Sequence, residues 1–244
     1  MIQQDRNNAA VSETLGYILL FAIVTLSMGF IYAVGYPMLQ SNIDANIFES
    51  AEQSFIVLQS DMDRVAFDQK PVTITRMKLQ NSELSVNNGS SMTITYDSTP
   101  PLPVNTGNIE FEKDKKKIIY EMGSILESYP PDSMIMVSKP PIYVTDIDNT
   151  TVTTVGLISV NGEDSVSGKG IATMTFTHNL SNMSMSSSPT DVEVNINSNY
   201  APVWKKYFED IGFTVTNTTS SGITAHMNNT MLILSRHVVD VDIS

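Results

Sequence analysis

Residues 14–43 read TLGYILLFAIVTLSMGFIYAVGYPMLQSNI, a stretch that contains no charged side chain. A helix of about 20 apolar residues already crosses the hydrocarbon core of a bilayer. The part from Leu15 to Leu39 is therefore long enough to span a membrane with some tilt. The sequence predicts a protein that is anchored in a membrane near its N-terminus.

A cleaved secretory signal peptide is the main alternative explanation of this stretch. Such peptides have an apolar region of about 7–15 residues after a positively charged start, and they end at a small-residue cleavage site. The apolar stretch here is longer, and it ends at Tyr36-Pro37-Met38-Leu39-Gln40 without an Ala-x-Ala pattern. We therefore expect the stretch to stay on the protein as an anchor.

The chain of 244 residues is acidic and contains no cysteine. Its formal net charge is -12 and its sequence pI is about 4.5, whereas binding to nucleic acid requires clustered Lys and Arg. Nucleic acid is therefore not an expected partner, and the one basic run, residues 113–117, is better explained as an exposed hairpin. The absence of cysteine excludes disulfides, thiol catalysis and thiolate metal sites.

Two features favour an extracellular position for the chain after residue 42. The segment that follows the anchor is acidic up to its first basic residue, Arg64, and a flank without Lys or Arg belongs outside under the positive-inside rule. Sequons of the form Asn-x-Ser/Thr, the acceptor sites of N-glycosylation, also occur only after the anchor. They are Asn88, Asn149, Asn179, Asn182, Asn217 and Asn228. We therefore expect a glycoprotein whose C-terminal domain lies outside the cell.

A second helical pattern follows the anchor directly. Apolar residues recur at steps of three and four and form one stripe on a helix whose other faces are polar. The stripe consists of Ile43, Ile47, Ala51, Phe55, Leu58, Met62 and Val65. Pro37 lies at the junction close to Gly35, where a proline removes one backbone hydrogen bond and can kink a helix. The pattern predicts a leader at 1–10, a membrane-spanning helix that continues as an amphipathic helix at 11–69, and a domain at 70–244.

From Pro71 onward the pattern changes to short alternating strands separated by turn signals. The predicted strands are 72–75, 83–86, 92–96, 109–111, 117–120, 134–137, 152–160, 171–177, 192–196, 212–215, 223–227 and 231–241. A helix is predicted at 202–211, where Trp204, Tyr207 and Phe208 share a face, and a mobile loop at 181–190. The fold class is therefore α+β, a long N-terminal helix followed by a β-rich, sandwich-like extracellular domain.

The sequence offers little for catalysis or for a bound ion. His178, His226 and His237 do not have the spacing of metal ligands, and no Gly-x-Ser-x-Gly nucleophile motif occurs. Asp240 and Asp242 alternate on one strand face, but two carboxylates make an incomplete calcium site. We therefore predict that the protein is not an enzyme and that it has no catalytic residue, no cofactor and no metal.

The order of elements at the N-terminus is distinctive. A polar leader from Met1 to Ala10 precedes Val11-Ser12-Glu13-Thr14-Leu15-Gly16, and the long apolar helix follows. This order resembles the precursor of an archaeal type IV pilin-like protein with a class III (prepilin-type) signal peptide. The chain is also similar to a family of uncharacterised archaeal membrane-anchored proteins that start Ser-Glu-Thr-Leu-Gly. Further segments similar to that family are YEMG at 120–123, MVSKPP at 136–141, SVSG at 165–168 and YAPVWKKYF at 200–208.

The resemblance implies processing by a prepilin peptidase, which cuts on the cytoplasmic side and leaves the apolar helix on the mature protein. Carried over to this sequence, the cut falls between Ala10 and Val11 and makes Glu13 the third mature residue. A cut after Asn8 would make Glu13 the fifth. The leader departs from the usual pattern, because Arg6 lies four positions before Ala10 rather than beside the cleaved bond.

Two roles remain open for Glu13. A carboxylate at this position is compatible with the membrane interface and with the positive end of the helix dipole. The resemblance implies instead that Glu13 pairs with the amino terminus of a neighbouring subunit during filament assembly.

Two functions are compatible with these features. The resemblance implies a structural subunit, major or minor, of an archaeal type IV pilus-like surface filament that is held by its N-terminal hydrophobic helix. The alternative is a monomeric, helix-anchored cell-surface protein that binds a ligand or an envelope component. The expected partners are membrane lipid, a prepilin peptidase and, in a filament, other copies that associate through the N-terminal helix. The expected location is the cell membrane, with the C-terminal domain outside.

Overall fold

The structure is a computed structural model of the chain. It describes the backbone of residues 3–97 and 101–244 and the side chains of residues 14–97, 101 and 103–244. The fold is α+β, because a long N-terminal helix precedes a β-rich domain with two sheets, as the sequence predicts. The chain divides into two compact units, Met1–Glu49 and Ser50–Ser244.

The first unit is helical. Helix α1 runs from Gln3 to Phe30, a π-helical turn follows at Ile31–Gly35, and helix α2 runs from Tyr36 to Ala66. The segment that the sequence predicts as a leader is therefore helical from Gln3 onward. This geometry does not bear on whether the leader is removed.

The side chains in the uncharged part of this helix are exposed. Every side chain from Thr14 to Ile43 is exposed, and Leu15, Phe21 and Leu26 are 60%, 72% and 74% exposed. Within the described residues, one helix is long and apolar enough to cross a membrane, and none of its apolar window is buried. The predicted anchor is therefore present as a helix whose exposed surface is compatible with membrane anchoring.

The π turn lies at the predicted irregularity. Pro37 has no amide hydrogen, and in a regular α-helix its ring clashes with the carbonyl four residues earlier. Here the Tyr36 N–H donates to the Ile31 carbonyl five residues back, which widens the backbone just before the proline. The helix is irregular at this point but does not end there.

The part of α2 that belongs to the second unit carries the apolar stripe into the core. Phe55, Leu58 and Met62 are completely buried, whereas Val57 on the opposite face is 55% exposed. The stripe is confirmed from Ala51 to Val65, and Ile43 at its start is 41% exposed.

Two polar contacts fix this part of α2 on the strands. Gln59 Nε2 donates to the Gly123 carbonyl oxygen at 2.7 Å, and Thr75 Oγ1 donates to the Asp61 carboxylate at 2.7 Å. Residues 50–66 of α2 are therefore an integral part of the β-rich unit.

Fifteen strands and one further helix complete the second unit. The strands are β1 (Val72–Lys78), β2 (Ser82–Asn87), β3 (Ser91–Tyr96), β4 (Leu102–Asn105), β5 (Asn108–Lys113), β6 (Lys116–Glu121), β7 (Ser124–Tyr129), β8 (Ser133–Ser138), β9 (Ile142–Ile147), β10 (Thr150–Asn161), β11 (Asp164–Gly168), β12 (Ile171–Met185), β13 (Thr190–Asn197), β14 (Thr214–Thr218) and β15 (Gly222–Ile243). Helix α3 spans Ala201–Asp210 and confirms the helix predicted at 202–211. The six-stranded sheet has the order β11-β2-β5-β6-β7-β8. The nine-stranded sheet has the order β1-β12-β15-β13-β3-β4, with β10 and β14 also paired to β15 and with β9 beside β10.

Strand β15 organises the nine-stranded sheet. Its first half pairs with β13 and β14 and its second half with β10 and β12, and only the β10 pair is parallel. The sequence predicts two strands here, 223–227 and 231–241, which is wrong because the chain forms one strand of 22 residues. Asn229 takes a φ of 53°, which asparagine tolerates, and the strand continues beyond it.

One hydrophobic core joins α3 to both sheets. Trp204 and Phe208 of α3 are completely buried, and Tyr207 beside them is 4% exposed. The same core contains Ile119 of the six-stranded sheet and Val194 of the nine-stranded sheet. The predicted shared face of α3 is therefore confirmed as core.

Several sequence predictions in this unit are wrong. Residues 181–185 are not a loop but the end of β12, because they pair with residues 233–237 of β15. Strands β4, β7, β9 and β11 were not predicted, since each is short and carries a polar residue or a nearby proline that hides the alternation. The predicted strand at 212–215 begins only at Thr214.

Removal of a buried side chain from the stripe will destabilise the β-rich unit. Phe55→Ala is expected to lower the free energy of unfolding by about 3–5 kcal/mol, because it deletes a buried ring and leaves a cavity. Val57→Ala on the exposed face is the control, with an expected loss below about 0.5 kcal/mol. Denaturant unfolding of the full chain in detergent, followed by the fluorescence of Trp204, measures both. Equal small losses would contradict the structural role of α2.

Candidate functional site

Three segments that the sequence analysis singled out meet at the start of α3. The turn after β6 contains Met122 and Gly123, with φ values of 51° and 82°. A Cβ atom on Gly123 would lie 2.5 Å from Cδ of Pro141, so only glycine fits here. The Tyr207 hydroxyl donates to the Ile142 carbonyl oxygen at 2.5 Å. The segments 120–123, 136–141 and 200–208 are therefore neighbours in the fold.

Glu121 is the buried centre of this site. Its side chain is completely buried at the end of β6. Trp204 Nε1 of α3 donates to Oε2 at 2.6 Å, and the Ser198 hydroxyl lies 2.9 Å from both carboxylate oxygens. Ser90, just before β3, adds a further side-chain hydrogen bond. One carboxyl group thus joins α3 to strands of both sheets.

The buried position changes the acidity of this carboxyl group. Burial raises the pKa of Glu121 to about 7, although the hydrogen bonds from Trp204, Ser198 and Ser90 act in the lowering direction. The indole N–H can only donate, so Oε2 accepts from it. When the carboxyl group is protonated, the Ser198 hydroxyl is close enough to accept its proton.

A second carboxylate, Glu110 on β5, extends the polar network. The Tyr200 hydroxyl donates to Oε1 at 2.9 Å, and Lys117 Nζ lies 3.0 Å from Oε2. Asn108 Nδ2 also donates to Oε1, at 3.1 Å. Burial and the charge of Glu110 raise the pKa of Tyr200 well above its usual range, so the phenol stays a donor.

The arrangement is a buried carboxyl group surrounded by hydrogen-bond donors. No group of three or more His, Asp or Glu side chains in the described part of the chain could hold a metal ion. Glu121 has no exposed surface through which a substrate could reach it. The site can take up or release one proton, and it fixes the start of α3 on β6.

A second polar cluster lies at the C-terminal end of α2. Ser181 Oγ lies 2.9 Å from His178 Nε2 and 2.8 Å from His237 Nδ1, and the Phe67 ring packs edge-on to His237 with 4.7 Å between centroids. Burial lowers the pKa of His237, and the neighbouring His178 lowers it further. The sequence spacing did not predict this pair, because only the register of β12 against β15 brings Ser181 opposite His237.

The predicted site residues fall into two groups. The side chains of Ala10, Val11 and Glu13 lie outside the described residues. The sequon asparagines are all exposed; they are Asn88, Asn149, Asn179, Asn182, Asn217 and Asn228. Enzymatic attachment of a glycan requires such exposure.

The carboxylate of Asp240, which the sequence suggests only as part of an incomplete calcium site, accepts hydrogen bonds from side-chain amides. Its carboxylate accepts hydrogen bonds from Asn161 Nδ2 at 2.6 Å and from Asn179 Nδ2 at 2.9 and 3.0 Å. These amide donors occupy oxygen positions that a cation would require.

Glu121 belongs to the segment 120–123 that resembles the family, but no role for its side chain is predicted from the sequence. The available signal is a glutamate that follows Ile118, Ile119 and Tyr120 and precedes Met122. Because successive side chains of a strand point to opposite faces, this apolar run covers both faces of β6 and leaves the carboxylate no route to water. Such a carboxylate must find buried donors, but the sequence does not show that Trp204 and Ser198 supply them.

The stability of the protein should depend on the protonation of Glu121. The pKa in the folded state is raised above the unfolded value, so this contribution is present in full below pH 4.5 and is lost as the pH rises through about 7. Glu121→Gln is expected to abolish a loss of up to roughly 3 kcal/mol, because the neutral amide can accept from Trp204 and donate to Ser198.

Denaturant unfolding of both proteins between pH 4.5 and 8 measures this difference. Asp63, whose pKa burial raises to about 6, and His237 titrate in both proteins, so the difference between the two curves isolates Glu121. Glu121→Ala is the second control, since it leaves the buried Trp204 N–H without an acceptor and destabilises at every pH. An unchanged pH slope in Glu121→Gln would refute the assignment.

Similarity to known proteins extends over nearly the whole chain. A family model described as a family of unknown function, DUF7289, matches residues 9–243. An uncharacterised protein of Archaeoglobus fulgidus is 24% identical over 224 residues, which cover 83% of this chain and 82% of the relative. No solved structure matches the chain. Because the family match includes the long apolar helix and both sheets, the chain belongs to DUF7289, a family of unknown function.

Proposed function

We propose that this protein is a structural subunit of a pilin-like surface filament and that its N-terminal helix holds it first in the membrane and then among the helices of other copies. The observation that carries the proposal is the complete exposure of the uncharged helix from Thr14 to Ile43. A surface of this kind is unfavourable in water and needs lipid or other helices around it.

The length of the helix supports a membrane stage. At about 1.5 Å per residue, residues 14–39 extend over roughly 39 Å, which exceeds the hydrocarbon thickness of about 30 Å. The same helix supports a packed stage, because the surface beside Gly16 and Gly29 is open: apart from their own stretch of helix backbone, nothing lies within 4 Å of a Cβ placed on either. Small residues of this kind let helices approach each other closely.

The resemblance of the N-terminus to prepilins is the reason for proposing a filament subunit. A leader that ends at Ala10 would be removed by a prepilin peptidase, and Glu13 would then lie close to the new amino terminus. In a bundle of copies, its carboxylate would pair with the amino terminus of a neighbouring subunit. The alternative position after Asn8 keeps the same pairing at a different spacing.

A monomeric, helix-anchored surface protein that binds a ligand is the second candidate. A groove of about 690 Å³ beside α3 favours it. Met134, Met136, Pro202 and Val203 line the groove, together with the charged side chain of Lys206. A groove with apolar walls and a few charges is typical of a binding site.

Processing provides the first test of the proposed function. Co-expression of the full chain with an archaeal prepilin peptidase is expected to shorten it by residues 1–10, as measured by intact mass. Loss of residues 1–8 would place the cut after Asn8 instead. An inactive peptidase variant is the control, and an unchanged mass with the active enzyme would sink the filament proposal.

Glycosylation provides a second test, because it requires the extracellular position. We expect glycans on Asn149 and Asn217, which are exposed at a turn and on the edge strand β14. Asn179 should stay unmodified after folding, since Asp240 holds its amide nitrogen and Ser181 of its sequon lies between two histidines. Glycopeptide mass spectrometry on protein from an archaeal host measures all three. A glycan on Asn179 with none on Asn149 or Asn217 would contradict this prediction.

A further inference from the structure

Strand β8 is a free edge with an unusual composition. It pairs with β7 on one side, and no other strand of the described chain pairs with it. Its residues alternate between partly buried and exposed, and Ile135 and Val137 are 47% and 36% exposed. An apolar edge of this kind is a template for pairing with another strand.

The other edge strands carry features that oppose such pairing. These are Arg76 and Lys78 on β1, Pro103 on β4, Asp146 on β9, Asp164 on β11 and the Thr- and Asn-rich sequence of β14. Charges, prolines and polar side chains are the usual protection of sheet edges. Strand β8 has none of them between Ser133 and Ser138.

Two pairs of prolines limit this edge. Pro130-Pro131 precedes it and Pro140-Pro141 follows it, and a proline cannot donate to a strand ladder. An added strand can therefore use only residues 132–139. The first of these residues is Asp132 and the last is Lys139, and both are exposed.

We infer that β8 pairs antiparallel with β8 of a second copy of this chain. Two-fold pairing must be centred on a residue and not between two, because opposed residues of an antiparallel pair share a face. Within residues 132–139, Ile135 and Met136 are the centres that give the longest ladder. In either register Asp132 of one copy lies one residue out of step with Lys139 of the other, so opposite charges lie near each other although the two side chains start on opposite faces of the ladder. The contact therefore has an apolar centre and opposite charges at each end.

The groove beside α3 adds room on one face of the same edge. Met134 and Met136 border it from β8, and Pro202 and Val203 border it from α3. Asp132 and Lys139 also line it, so the charges that would pair between copies lie at its border. The flexible methionine side chains can adapt to those of an added strand.

This contact does not rest on leader removal or on packing of the N-terminal helices. Two anchored copies in one membrane can form it before any filament exists. The contact can therefore fail while the filament proposal stands, and the reverse also holds.

Cysteine cross-linking tests the contact directly, because the natural chain has no cysteine. Ile135→Cys and Met136→Cys are made separately in the full chain, purified in detergent and oxidised. Residues on the two-fold axis have Cα atoms about 4.5–5.5 Å apart, which suits a disulfide. We expect a covalent dimer from at least one variant, formed about tenfold faster than from Ile147→Cys, a control on the exposed part of β9.

Charge exchange separates this contact from any other source of dimers. In the cross-linking background, Asp132→Lys or Lys139→Asp alone places like charges together and should slow dimer formation about tenfold. The double variant Asp132→Lys with Lys139→Asp restores opposite charges and should recover the rate.

Three results would overturn the proposal. The first is cross-linking at 135 and 136 no faster than at 147. The second is a dimer that does not respond to the single charge variants, as expected if the helices alone bring the copies together. The third is a double variant as slow as the single ones, which would leave a different, non-identical partner as the occupant of the edge.

Discussion

The fold depends on one long helix whose two parts require different surroundings. From Thr14 to Ile43 it is uncharged on every side and exposed, and from Ala51 onward only one stripe is apolar and buried. The first part has an apolar surface that is compatible with a membrane, and the second packs its stripe against a protein core. Both sheets depend on the second part, since Phe55, Leu58 and Met62 would otherwise leave a large cavity.

Much of this architecture could be predicted from sequence, because it follows from local periodicity. The uncharged stretch, the stripe of α2 and the shared face of α3 each repeat at the helical period within a short window. The extent of β12 and β15 could not be predicted, because pairing over a long range overrides the polar residues at 181–185 and the Asn228-Asn229 pair. The length of such strands is set by their neighbours and not by their own composition.

The residues of the candidate site likewise divide into those that local sequence predicts and those that only the fold brings together. That Trp204 lies in a core could be predicted from helical spacing, but its partner Glu121 is 83 residues away and meets it only through the fold. The same holds for His178, Ser181 and His237, whose contact requires the register of two strands. Because removing a carboxyl group from water is costly, we expect Glu121 to contribute more to a unique arrangement of α3 than to net stability.

The two diproline segments that bracket β8 have a consequence for the size of any assembly. An isologous contact uses the same patch on both partners, so once two edges have paired neither copy has a second such edge to offer. A six-residue strand between prolines also cannot lengthen the ladder into a fibre of stacked strands. Growth in one dimension would then have to come from a head-to-tail contact elsewhere in the chain. Strand β8 would join copies in pairs, and the uncharged helix would provide the contact that repeats along a filament.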